Sequence, residues 1–478
     1  MALSEREIQA IMERTRQRVN GGAAPSTPVR SMDRQRLGIF HDVDSAVTAA
    51  RAAFEQYEKM ELSDRKRIVA AMREKMRQHG RELAHEAAAE TGLGRAEDKV
   101  KKNELVTEKT PGPELLETTA WSGDDGLTIV ERAPFGVVAA ITPTTNPTST
   151  IINNSISILS AGNAVTFNVH PNARRVSAKN IRLLNEAILE AGGPANLITA
   201  VAEPTIETAQ ELMRHPRVRL LLVTGGGGVV TEAMRSGKRA ITAGPGNPPV
   251  VVDESADIEH AGRSIIFGAS FDNNIICTDE KEVFVVEKVA DALKRAMQSA
   301  GAFFVERSPE QRRLMEVIFR EHNTAPRAVS KMRNEWIGKN AGEILNAAGI
   351  NAPRDLRLAV IEVPPDHTLV WTEQMMPILP LVRMPDVKSA IDIAIEAEHG
   401  YGHSAAMYSR NIDNLSEMAR RINTSIFVKN GPTLAGLGYG GEGYTSFSIA
   451  SPTGEGLTNA FSFSRPRRCA MVDHFRIV

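Results

Sequence analysis

The chain has 478 residues, 42% hydrophobic and 24% charged, with 57 basic against 58 acidic side chains for a net charge of -1, and two cysteines. The length predicts two or three domains with large buried cores, and the ordinary composition excludes a mainly disordered chain. The balanced charge removes the electrostatic case for nucleic-acid binding, and two thiols exclude a disulfide framework or a four-thiolate zinc site. No apolar run approaches the ~18–20 residues that span a bilayer, and the N-terminus lacks the apolar core of a secretory signal. A soluble intracellular enzyme in a reducing compartment is therefore expected.

In chain order, Ile8, Ile11, Met12, Thr15 and Val19 recur at helical spacing, with Glu5, Arg6, Glu13, Arg14, Arg16 and Arg18 on the other faces. Ser4 and Glu7 have the spacing of a capping box, which predicts an amphipathic helix within residues 1–19, starting near residue 5. Residues 20–36 open on Asn20-Gly21-Gly22, continue through Ala23-Ala24-Pro25-Ser26-Thr27-Pro28, and read as a flexible linker. The apolar stripe of such a tethered helix is buried against a separate partner, or folds back on its own domain or a neighbouring subunit. From Val43 to Ala89 the helical period dominates, and no element is read between Gly92 and Leu127-Thr128-Ile129-Val130, a predicted strand.

Strands and helices then alternate. Residues 136–141, 164–167, 197–201 and 220–223 read as apolar strands, with helices over 176–191 and 206–213 between them. Apolar strands separated by amphipathic helices predict an α/β fold built on a parallel sheet with both faces covered. A second alternating block runs from Pro249 to about Arg383, and includes the strand Glu282-Val283-Phe284-Val285-Val286.

The glycines at 225–228 follow a strand and precede a helical stretch, where an α/β fold presents N–H groups to a ligand. The G-x-G-x-x-G fingerprint fails at Val230, however, and Gly237-Lys238-Arg239 is not a P-loop, so a tight turn and a nucleotide site both stay open. A lone cysteine is ordinarily a small buried apolar residue, and local sequence does not separate Cys277 from Cys469 as a nucleophile. The eleven histidines show no metal-ligand spacing, so no metal is expected.

Several segments in order resemble the aldehyde dehydrogenase superfamily over nearly all of residues 37–478. Residues 131–138 resemble its strand leading into the nucleotide fold. Thr142-Pro143-Thr144-Thr145-Asn146-Pro147 resembles its Pro-Trp-Asn segment, and Asn273 to Cys277 its nucleophile segment. Glu373-Gln374-Met375-Met376-Pro377 resembles the element whose glutamate holds the nicotinamide ribose. Where hydrolytic members carry a water-activating glutamate, this chain has Thr242 in Thr242-Ala243-Gly244-Pro245-Gly246, and a hydroxyl is no general base near neutral pH. The adenosine site reads His170-Pro171-Asn172-Ala173, and Ala173 stands where a glutamate would reject a 2′-phosphate. These departures, with Thr224-Gly225-Gly226 and Gly400-Tyr401-Gly402-His403-Ser404, resemble the CoA-acylating branch.

The resemblance implies a Rossmann-like NAD-binding domain over 37–248 with arm strands near 124–133. It further implies an α/β catalytic domain over 249–450, and a C-terminal return with an oligomerisation strand over 451–478. It implies Cys277 as the acyl carrier, Asn146 as the oxyanion donor and His403 as a group near the thioester. Thr142, Pro143, Thr144, His170, Pro171, Thr224, Gly225, Gly226, Gly244 and Glu373 fall on cofactor-binding positions. NAD is the implied cofactor, and CoA and a short-chain aldehyde, propionaldehyde foremost, are the co-substrates. Residues 1–19 resemble leaders that target such enzymes to the shell of a bacterial microcompartment, which implies a location inside such a compartment in the bacterial cytoplasm. A homodimer or homotetramer is implied, with no nucleic acid and no membrane as partner.

Overall fold

The computed structural model of the chain describes residues 37–478; the predicted helix and linker of residues 1–36 lie outside this range. Two parallel sheets and a small antiparallel one organise the described residues, beside two short antiparallel pairs, β12 (Phe319–Glu321) with β13 (Lys331–Met332) and β18 (Ile449–Ala450) with β19 (Gly456–Leu457). The first sheet has the order β1 (Ile39–Phe40), β6 (Ile198–Val201), β5 (Ala164–Asn168), β4 (Val137–Ile141), β7 (Val218–Thr224), β8 (Ala240–Ala243), all parallel. Every residue of β4, β5 and β6 is buried, which is why these strands read as unbroken apolar runs rather than as alternation.

Three helices precede this sheet's central strands: α1 (Val43–Tyr57), α2 (Leu62–Thr91) and α3 (Ala96–Lys109). Asp42 caps α1, accepting the Ser45 N–H at 2.7 Å, and α2 ends on Gly92 in the left-handed region, φ 66°. Helix α3 fills the stretch in which the sequence pattern shows no element. Its buried face holds Asp98, Lys99, Lys102 and Asn103 beside Val100, Leu105 and Val106, so hydrophobic periodicity does not mark it. Helices α4 (Pro147–Ser160), α5 (Arg174–Glu190), α6 (Ile206–Arg214) and α7 (Gly227–Arg235) connect the strands.

The second sheet has the order β11 (Phe303–Phe304), β14 (Ala359–Glu362), β15 (Ile378–Met384), β10 (Glu282–Val286), β9 (Pro249–Val252), β16 (Ser404–Tyr408), β17 (Ile426–Lys429), again all parallel. The chain leaves the carboxyl end of β8 at Ala243 and enters the amino end of β9 at Pro249 after five residues. The carboxyl edge of the first sheet therefore faces the amino edge of the second.

The third sheet is an antiparallel arm in which β3 (Gly126–Pro134) pairs with β2 (Thr119–Gly123) and, over nine residues, with β20 (Ser464–Val472). Asn163 ties the arm to the first sheet. Its Oδ1 accepts the Phe135 and Gly136 N–H groups at 2.7 and 3.0 Å, and its Nδ2 donates to the Phe463 carbonyl at 2.8 Å. Cys469 lies on β20 opposite Ile129 and is exposed, so it is not the core residue that a lone cysteine predicts. No described helix is long and apolar enough to cross a membrane.

Candidate active site

A cleft of about 810 Å³ opens between the facing sheet edges. In the first sheet the chain runs from β4 through β5 to β6 on one side, and β7 then returns to the other side of β4. Such a reversal leaves a crevice at the carboxyl ends of the strands, the usual ligand position in open α/β sheets. Thr142, Pro143 and Thr144 follow β4, His170 and Pro171 follow β5, Thr224, Gly225 and Gly226 follow β7, and Gly244 follows β8; all line the cleft. Asn146, Cys277 and Glu373 line it as well, so twelve of the thirteen residues singled out in the sequence converge there.

His403 is the exception. It is fully buried and lies behind the cleft wall. A β-carbon built on Gly246 would sit 2.5 Å from the Cys277 carbonyl oxygen and 3.0 Å from His403 Cγ, so the ring packs close to the Cys277 backbone across a bare glycine. Glu398 holds this turn, accepting the His403 N–H at 2.8 Å and the Gly402 N–H at 3.1 Å. His403 Nδ1 bonds the Ser404 hydroxyl at 2.8 Å, and Nε2 has no partner. Burial and the charge of Lys281 push its pKa down to about 4, which leaves the ring neutral at physiological pH.

The glycine cluster forms the turn from β7 into α7 and borders the cleft. Gly226 caps α7, and β-carbons placed on Gly226, Gly227 or Gly228 would meet nothing within 4 Å, so open space adjoins the helix N-terminus. The residues Ile206, Ala209 and Met213 of α6 line the cleft with apolar side chains, as does Val229 of α7 itself. Bare backbone N–H groups beside an apolar slot suit a nucleotide's phosphates and base. The hydroxyls of Thr224 and Ser448 share a hydrogen bond of 2.9 Å, which ties this loop to the segment 446–449. That segment also lines the cleft and carries no sequence signal.

Cys277 follows three consecutive non-glycine residues in the left-handed region, Asp272, Asn273 and Asn274, at φ 45°, 57° and 62°. Aspartate and asparagine tolerate that region best among such residues. Buried hydrogen bonds hold each of them. Asn273 Nδ2 donates to the Gly338 carbonyl at 2.9 Å, and Asn274 Nδ2 donates to the Ala269 and Glu280 carbonyls at 2.8 and 2.9 Å. Lys281 Nζ donates to the carbonyls of Asn274 and Ile276 at 2.8 and 3.2 Å. Burial pushes the Cys277 thiol up to about 12, and the carboxylates of Glu373 and Asp279 add to the rise. Glu373 is itself raised by burial.

Asn146 occupies the N-cap position of α4, ahead of Pro147, and its side chain makes no capping bond to the helix. Its Nδ2 donates to Thr145 Oγ1 at 3.1 Å, and its Oδ1 accepts from Lys102 Nζ at 2.6 Å. Thr242 lies within β8, fully buried, with no partner for its hydroxyl, and it does not line the cleft. Neither Lys99, Lys102 nor Asp272 was indicated as a site residue by the sequence; the only signal was a charged stretch with no assigned element.

A glycine-lined helix N-terminus opening onto a half-buried cysteine, between two parallel sheets with an antiparallel arm, defines an aldehyde dehydrogenase architecture. The chain belongs to the aldehyde dehydrogenase family, whose model matches residues 32–452. It is 47% identical over 477 residues, all of both chains, to the acetaldehyde dehydrogenase (acetylating) EutE of Salmonella typhimurium. Among solved structures, a propionaldehyde dehydrogenase from the Clostridium phytofermentans fucose utilisation bacterial microcompartment superposes with a TM-score of 0.89 at 44% identity. It covers 92% of this chain and 100% of its own. The Rhodopseudomonas palustris propionaldehyde dehydrogenase, solved with bound CoA and an acylated cysteine, gives 0.88 at 47% identity over 91% of this chain and 98% of its own.

Proposed function

We propose that the protein is a CoA-acylating aldehyde dehydrogenase that converts a short-chain aldehyde, NAD and CoA to acyl-CoA and NADH, with Cys277 as acyl carrier. The observation that carries this reading is the convergence of Cys277 and Asn146 on one cleft with the glycine cradle. The relatives' acylating names point the same way. The Cys277 thiol first gives its proton to water in the cleft, and the thiolate Sγ then attacks the aldehyde carbon, forming the C–S bond as the C=O π bond opens to an alkoxide. Asn146 Nδ2 and the Cys277 backbone N–H donate to that oxygen; losing one such donor commonly costs about 3 kcal/mol of transition-state stabilisation. When bound, the nicotinamide supplies the hydride acceptor, and CoA supplies the thiol that receives the acyl group.

Glu373 and the loop 224–226 hold the cofactor, and Thr142 to Thr144, His170, Pro171 and Gly244 border its adenosine and phosphates. Thr242, buried in β8, puts no carboxylate where one would activate water, so the thioester survives until a thiol arrives. His403 shapes the Cys277 turn as a neutral ring. The two parallel sheets correspond to the NAD-binding and catalytic domains, the arm pairs with a second copy, and residues 1–19 dock on the shell of a microcompartment.

Incubation with propionaldehyde and NAD, with and without CoA, tests the reaction. Propionyl-CoA formation that depends on CoA and is abolished in Cys277→Ala is expected. Brisk production of free acid without CoA would overturn the acylating assignment.

A further inference from the structure

We propose that Lys102 is a positioning residue for the oxyanion donor, holding the Asn146 amide with its NH2 group toward the aldehyde. This rests on the reading of Cys277 as acyl carrier. An asparagine amide has a donor end and an acceptor end of nearly the same shape, and only the donor end stabilises an alkoxide. Lysine offers three donors and no acceptor. Lys102 Nζ lies 2.6 Å from one end of the Asn146 amide, so that end is the oxygen and the NH2 group points away from the lysine. One N–H of that group is engaged by Thr145 Oγ1 at 3.1 Å, which leaves the second for the substrate oxygen.

The lysine is itself fixed. It is 2% exposed, projects from α3, and its ammonium also donates to Asp272 Oδ2. Lys99, one turn earlier and equally buried, donates to the same oxygen at 2.9 Å and to the Thr145 carbonyl at 3.2 Å. Asp272 Oδ1 accepts the Arg95 N–H at 2.6 Å. Thus α3 spans the cleft's rear, joining the loop that carries the oxyanion donor to the loop that carries the nucleophile. Two lysines share one carboxylate oxygen there, which fixes the Lys102 side chain against the Asn146 amide.

The test is the pre-steady-state burst of NADH on mixing enzyme and NAD with propionaldehyde in the absence of CoA. Lys102→Met is expected to slow the burst 100-fold or more while the KM for aldehyde and NADH binding by fluorescence stay within threefold. Asn146→Ala is expected to give a loss of the same order. The double variant should fall no more than threefold below the slower single, because with no amide there is nothing to orient. Lys102→Gln is the second variant should Lys102→Met not fold. Glutamine can present either end to Asn146, and at least a tenfold loss is expected. Burst rates within threefold of wild type in either folded variant, or losses that multiply in the double variant, would overturn the proposal. A normal wild-type burst with no CoA thioester as product would instead overturn the acylating assignment, since the burst precedes the acceptor.

Discussion

The Cys277 thiol sits where ordinary reactivity is suppressed. With its pKa pushed up to about 12 by burial and by neighbouring carboxylates, the resting side chain is protonated across the physiological range. Reactivity therefore rises with pH and with any change that removes negative charge from the cleft. Glu373 is the largest charge contribution to the rise, so Glu373→Gln is expected to lower the thiol's pKa. Alkylation by iodoacetamide at pH 8 should then speed up by about threefold to tenfold, one unit being tenfold in thiolate. An unchanged or slower rate would remove Glu373 as the cause. His403, expected from the sequence to act near the thioester, is neutral and enclosed, with an unpartnered Nε2. A glycine-rich turn with one histidine reads the same whether the ring faces the ligand or the core.

At the scale of elements, charged runs decide what is legible. Strands β4 to β7 are evident in the sequence because both faces are covered and their side chains are apolar. Helix α3 and the run Asp279-Glu280-Lys281 are not, because all three residues of that run are fully buried although their side chains are of types that normally mark a solvated face. Burial raises the Asp279 and Glu280 carboxyls above the usual carboxylate range, and one oxygen of each finds an internal donor. Asp279 Oδ2 accepts the Ile276 N–H at 3.0 Å, Glu280 Oε1 accepts the Thr433 N–H at 2.9 Å, and Gly268 leaves room for the Glu280 carboxyl.

Burial raises the Glu280 pKa to about 7 from 4.5. The native state thus holds that proton more tightly than the unfolded chain does. The stability it contributes is fully present below about pH 4.5 and is lost as pH rises through about 7. At ~1.4 kcal/mol per unit the loss is on the order of 3 kcal/mol. Glu280→Gln, which never ionises, is expected to gain stability relative to wild type as pH is raised from 5 to 8 in thermal melts. A constant difference across that range would show that Glu280 does not titrate there.

For the whole molecule, the order of motifs made the site readable: residues from six loops, far apart in sequence, fall on two facing sheet edges. What could not be read was the brace behind them, since pairing between Lys102 and Asp272 is a property of packing and not of spacing. The outer edge of β20 exposes Met471 and Val472, and the proposed pairing with a second copy places these residues in a subunit contact. Met471→Asp combined with Val472→Asp is expected to lower the mass measured by light scattering while co-sedimentation with shells persists. Removal of residues 1–19 should do the reverse, leaving mass and acyl-CoA formation unchanged and abolishing co-sedimentation. Loss of both properties in either variant would refute that division of labour.

The left-handed turn at Asp272 to Asn274 has a consequence for the newly made chain. Its clamps come from Arg95 and Lys99, synthesised early, and from Gly338, synthesised late. Until all three have docked, Cys277 is an open thiol with the ordinary acidity of about 8.5, exposed to every oxidant and electrophile in its surroundings. Completion of the fold withdraws it. Under the same peroxide, the folded protein is therefore expected to lose its Cys277 thiol more slowly than the chain unfolded in denaturant, and equal rates would refute this.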